Sequence, residues 1–183
     1  ADNPDIIFVV TMGKEEEITK AILVPTREAV SNLEHMRTVE GEKLAEDLLI
    51  KGRNVKKLLD EIEERAPMVA ESYMNKLRER IAELLDGAVE VPEDRILVEA
   101  AIFADKCAID EEITRLNSHL VQLASIITNS TQPDGKKLDF LVQEMNREAN
   151  TIGSKANDIV ITGHMLDIKS EIEKIREQVQ NIE

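Results

Sequence analysis

The sequence predicts an all-α protein of long antiparallel helices, helical hairpins and coiled-coil-like packing, on three observations. Seven Gly and five Pro in 183 residues are too few to supply the frequent turns that strands require. Aromatic residues make up 2% of the chain and Trp is absent, so a core has to come from Leu, Ile, Val, Ala and Met, which suits the shallow seams between helices. Apolar residues recur every three or four positions over most of the chain, the helical period.

Taken in order, residues 1–14 hold Pro4 and Gly13 around the β-like run Ile6-Ile7-Phe8-Val9-Val10. They are expected to be an irregular start, the tail of a region lying upstream, followed by one helical domain over 15–183. From about Glu16 to Arg65 a helical pattern places Leu44, Leu48, Val55, Leu58 and Ile62 near one face, with Pro25, Gly41 and Gly52 as candidate kinks. Ala66-Pro67 marks a boundary. Ala70, Met74, Leu77, Ile81 and Leu84 carry the next helix, which should end at Asp86-Gly87.

A third helix is expected from Pro92-Glu93-Asp94, a favourable amino terminus, to about Ile127. Its late apolar residues, Ile109, Ile113, Leu116, Leu120, Leu123 and Ile127, step by four and three as in a coiled-coil seam. Thr128-Asn-Ser-Thr-Gln-Pro-Asp-Gly135 is the clearest loop. Leu138, Leu141, Met145 and Ile152 then define the buried face of a fourth helix, and Gly153 and Gly163 bracket a break. The chain closes on a heptad run, Ile161, Met165, Ile168, Ile172, Ile175, Val179 and Ile182. Such a seam needs a partner helix, and assembly of copies through it is the expectation.

Composition also bounds function. The formal net charge of -14 opposes non-specific binding to nucleic acid, whose affinity comes largely from neutralised phosphates, and DNA is not an expected partner. The single Cys107 can form no internal disulfide and is read as a small buried hydrophobe. No Cys/His cluster has structural zinc spacing. No apolar run of about 18 residues or leader-like segment points to a membrane, and a cytoplasmic location is expected.

On the third helix Glu112, Arg115, His119 and Gln122 form a polar stripe beside the apolar seam. On the fourth, Lys137, Glu144, Glu148, Thr151 and Lys155 lie along one flank of the seam, and Asp139, Gln143, Arg147, Asn150 and Ser154 along the other. If the two helices fold back about the loop at 128–135, His119 and Glu144 each lie roughly 13 Å from the turn at about 1.5 Å per residue. The same count levels Arg115 with Arg147 and Glu148. His, Arg and paired carboxylates so gathered could hold a divalent cation beside a phosphodiester; interhelical salt bridges use the same residues.

The run Gly135-Lys-Lys-Leu-Asp-Phe-Leu-Val-Gln-Glu-Met-Asn-Arg-Glu-Ala-Asn-Thr-Ile-Gly-Ser-Lys155 resembles the YicC-like family of bacterial endoribonucleases. The likeness extends through Met36-Arg37, Glu40-Gly41, Ala66-Pro67, Phe103-Ala104-Asp105-Lys106, Glu111-Glu112, Arg115-Leu116, Ser118-His119 and Glu177-Gln-Val-Gln-Asn-Ile-Glu183. The family's amino-terminal Ser-Met-Thr-Gly motif does not occur, so the chain resembles the carboxy-terminal part, and Ala108 stands where an acidic residue is expected. The resemblance implies a homo-oligomeric nuclease dependent on Mn or Mg that cuts RNA in stress responses or small-RNA turnover. Among the matching positions, His119, Arg115 and Arg147 are the catalytic candidates, Glu112, Glu144 and Glu148 the metal ligands, and Lys136, Lys137 and Lys155 the RNA contacts. A non-catalytic helical scaffold or RNA-binding adaptor is the alternative.

Overall fold

A computed structural model describes residues 15–85, 92–130, 134–180 and 182. Within them lie six α-helices and no strand: α1 (Glu15–Arg65), α2 (Pro67–Leu85), α3 (Glu93–Lys106), α4 (Asp110–Asn129), α5 (Gly135–Lys155) and α6 (Ile159–Val179). The run Ile6–Val10 and the Asp86-Gly87 helix stop lie outside the described residues. The chain divides into two compact units, residues 1–43 and 44–183.

In the first unit the described residues are the opening part of α1, helical through Pro25. Ile18, Ile22, Leu33 and Met36 lie on one stripe at helical spacing and are exposed.

The core lies in the second unit, where four amphipathic stretches meet. Leu48, Val55, Leu59 and Ile62 come from α1, Ile113, Leu116, Leu120 and Leu123 from α4, Leu138, Leu141, Met145 and Ile152 from α5, and the heptad residues of α6 complete it. Leu59 rather than Leu58 fills the α1 stripe; Leu58 is only partly buried against it. Helix α4 packs on α5 and α5 on α6. Polar contacts between α1 and α6 fix their direction: Asn54 donates to Glu171 at 3.2 Å, His164 lies 3.5 Å from Glu61, and Arg65 donates to Asp158 at 3.0 Å. Numbers rise on one helix as they fall on the other, so the pair is antiparallel.

The terminal heptads therefore find their seam within the chain. Ile161, Ile168 and Ile175 are completely buried, each removal from water being worth about 1.5–3 kcal/mol, and no second copy is needed to cover them. α6 starts where Asp158 caps it, its carboxylate accepting from the backbone N–H of Val160 and Ile161 at 3.0 and 3.1 Å. Burial pushes the Asp158 carboxyl up, but Arg65 and these two amides outweigh it and hold it below the ordinary range.

The expected third helix is two helices. The chain breaks over Cys107 and Ala108 before Ile109 is buried at the start of α4. Helix α3 instead turns to α2, where Tyr73 and Phe103 stack with centroids 3.6 Å apart and Arg78 pairs with Glu93. Cys107 is half-buried, and burial raises its thiol pKa. At the other hairpin, Gly135 opens α5 where a Cβ would come within 2.5 Å of the Ile182 carbonyl oxygen, so the close approach of the carboxy terminus requires glycine there.

Candidate metal centre on the α4–α5 hairpin

Helix α4 presents His119 beside its apolar seam, and α5 presents Glu144 and Glu148 one turn apart on one face, as an i, i+4 spacing dictates. The packing of α4 on α5 sets them level. A ligand atom from each of His119, Glu144 and Glu148 lies within 4.8 Å of the other two. Glu148 is buried at 5% exposure, whereas His119 and Glu144 are half-buried, so the group has one interior wall and an open side.

Two features of this trio matter chemically. The Nδ1 of His119 is buried without a hydrogen-bond partner, although a buried ring nitrogen is normally satisfied. Two carboxylates also share the space with it, and Arg115 Nη1 stands 3.7 Å from Glu148. One imidazole and two carboxylates with an open side form a three-donor set of the kind that leaves room for water or substrate on a bound divalent ion. An imidazole donor favours a first-row ion such as Mn²⁺ over Mg²⁺, which prefers all-oxygen ligation.

The other candidates fall differently. Glu112 is buried, and its Oε1 accepts from Lys155 Nζ at 2.8 Å. Lys155 also donates to the Ala108 carbonyl at 3.3 Å, so it is committed to pinning the start of α4 to the end of α5. Burial pushes the Glu112 carboxyl up, yet Lys155, its own backbone N–H and the charge of Arg115 together hold it below the usual range. Its Oε2 is buried and unpartnered. Arg115 also pairs with Glu111. Arg147 reaches 4.0 Å from Glu144 and is largely exposed. Lys137 pairs with Asp134 at 2.7 Å, and Lys136 is exposed.

Residues 62–183 match the family model described as Endoribonuclease YicC-like, C-terminal. The chain is 46% identical over 181 residues to a probable endoribonuclease YicC of Clostridioides difficile, which covers 98% of this chain and 61% of that protein. It is 29% identical over 168 residues to a probable endoribonuclease YicC of Haemophilus influenzae, covering 92% of this chain and 57% of that protein. The chain thus spans about three-fifths of the length of these curated relatives.

Proposed function

Because this chain belongs to the YicC-like endoribonuclease family, we propose that it carries the metal-dependent site of a ribonuclease that cuts RNA internally, with His119, Glu144 and Glu148 holding the ion. The observation that carries this reading is the trio itself, three donors within 4.8 Å across the hairpin, with one of the imidazole nitrogens buried and unpartnered. A divalent ion bound there supplies concentrated positive charge against a phosphodiester and acidifies water.

The chain's own residues do the rest. Arg115, half-exposed and 3.7 Å from the buried Glu148, steadies that carboxylate and is available to developing charge on a phosphate oxygen. Arg147, on the open side near Glu144, provides a second cation for the strand. His119 would hold such an ion through a ring nitrogen, and its role would then be that of a ligand and not of the proton carrier. Lys136 and Lys137 at the start of α5 are the proposed RNA contacts, while Lys155 serves the Glu112 pair instead.

A second reading, a helical adaptor or self-associating scaffold, draws on the exposed stripe of Ile18, Ile22, Leu33 and Met36. One assay separates them: end-labelled single-stranded RNA incubated with the chain and Mn²⁺, Mg²⁺ or chelator, and resolved on a denaturing gel. The nuclease reading expects internal cuts with Mn²⁺, none with chelator, and none by Glu148→Gln. Uncut RNA under every condition, or cutting indifferent to chelator and to the substitution, would overturn it.

A further inference from the structure

We propose that the groove between α1 and α4 is a nucleoside subsite, taking a base and its phosphate from single-stranded RNA next to the bond that is cut; this rests on the nuclease reading above. The groove has a volume of about 550 Å³, within the range of small-ligand clefts. Its floor is apolar, formed by Leu48, Leu120 and Leu123, all buried. Val121, 70% exposed, stands at its side with its apolar face uncovered.

Charge selects the occupant. The chain as a whole carries -14, yet no Asp or Glu lines this groove, and Arg53 and Lys56 do. Lys56 is ion-paired with Asp60 one turn on, while Arg53 is in no ion pair among the described residues and is the rim's uncompensated cation. Apolar floor, cationic rim and absence of carboxylates complement a flat heterocycle joined to a phosphate. The Oδ1 of Asn117, also lining the groove, is buried and unpartnered, and a base N–H or exocyclic amine would satisfy it.

Position ties the groove to the metal centre. On α4 the groove residues Thr114, Asn117, Ser118 and Val121 lie on one flank of the buried seam, and His119 lies on the other. Between them run Arg115 and Gln122 on the outer face, where Gln122 donates to Ser118 at the groove's edge at 3.2 Å. A strand crossing that face travels about one helix diameter, roughly 10–12 Å, and meets polar groups throughout. The run Lys51-Gly-Arg-Asn-Val-Lys-Lys57 is the sequence signal for the rim, set in an otherwise acidic helix.

The test is equilibrium binding of a fluorescent single-stranded RNA to the chain in chelator, where no cleavage intervenes, across a salt series. Arg53→Ala and Lys56→Ala should each weaken binding roughly tenfold and lower the log–log salt slope by about 0.7, one phosphate contact on a single strand. Val121→Asp, at an exposed position, should weaken binding with helicity unchanged by circular dichroism. Wild-type affinity and slope in all three variants would overturn the subsite, while Mn²⁺-dependent cleavage, measured separately, would still uphold the nuclease. Unchanged RNA binding with an altered sedimentation profile for Val121→Asp would assign the groove to a protein partner and overturn it as well. Failure of the wild type to bind RNA at all would remove both proposals.

Discussion

Replacing Glu148 by Gln separates a metal ligand from a structural salt bridge by the size of two energies. The carboxylate lies within 4.8 Å of a Glu144 oxygen and 3.7 Å from Arg115. At an effective dielectric of about 20 the repulsion is about 3 kcal/mol and the attraction about 4 kcal/mol, and both shrink because Arg115 and Glu144 are partly exposed. Removing the charge deletes both, so without metal the substitution should change stability by about 1 kcal/mol or less. With Mn²⁺ at a hundred times its Kd, binding should add about 2.7 kcal/mol to the wild type. At roughly 2–4 °C per kcal/mol for this size, Tm rises about 5–11 °C. Losing one charged ligand of three should weaken binding at least about 100-fold, the upper scale for mere outer-shell losses. The same Mn²⁺ concentration then adds about 0.4 kcal/mol, or about 1 °C. Paired thermal melts of wild type and Glu148→Gln, with and without Mn²⁺, read both numbers. A large metal-free loss with an intact Mn²⁺ shift would refute the reasoning and return Glu148 to a structural role.

Gly135→Ala drives a Cβ to within 2.5 Å of the Ile182 carbonyl oxygen and should cost about 1–3 kcal/mol, checked by thermal melting and by faster proteolytic trimming of the carboxy terminus. Lys155→Met leaves the buried Glu112 without its partner and should cost about 2 kcal/mol, less than a fully buried pair because Lys155 is 38% exposed; the double change with Glu112→Leu should recover most of it in denaturant unfolding. Asp158 has a folded pKa below its unfolded value, so its stabilisation is complete above the unfolded pKa and lost as pH falls through the folded one. Acid titration of stability should accordingly be shallower in Asp158→Asn than in the wild type, and equal slopes would count against the Arg65–Asp158 contact.

The fold class was legible because helical periodicity is local: the stripes of α4, α5 and α6 read in the sequence are the buried faces in the structure. The levelling of His119 with Glu144, and of Arg115 with Glu148, was legible too, since a hairpin with one marked loop fixes register by counting residues at about 1.5 Å each; that Glu148 also joins His119 was not. What escaped the sequence was decided by contacts distant along the chain. The break at Cys107 and Ala108 is flanked by two contacts, Lys155 on the Ala108 carbonyl and Phe103 stacked on Tyr73, neither of which periodicity records. The α6 heptads promised a partner without naming it, and the antiparallel α1 contacts, from Asn54 to Arg65, locate α6 inside its own chain. Glu112 matched the site motif by spacing, but its reach to Lys155 draws it out of the trio. Helix α1 is continuous through the candidate kink positions Pro25, Gly41 and Gly52.

The most direct measurement is the single-turnover rate of RNA cleavage by the wild type and by His119→Ala across a Mn²⁺ series, normalised to folded protein. With His119 as a ligand, the rate at limiting Mn²⁺ should fall about 100-fold or more, the scale on which metal affinity is lost, and the Mn²⁺ concentration for half-maximal rate should rise with it. A lower rate at an unchanged half-maximal Mn²⁺ concentration would make His119 a proton carrier instead of a ligand, and an unchanged rate curve would contradict the metal centre itself.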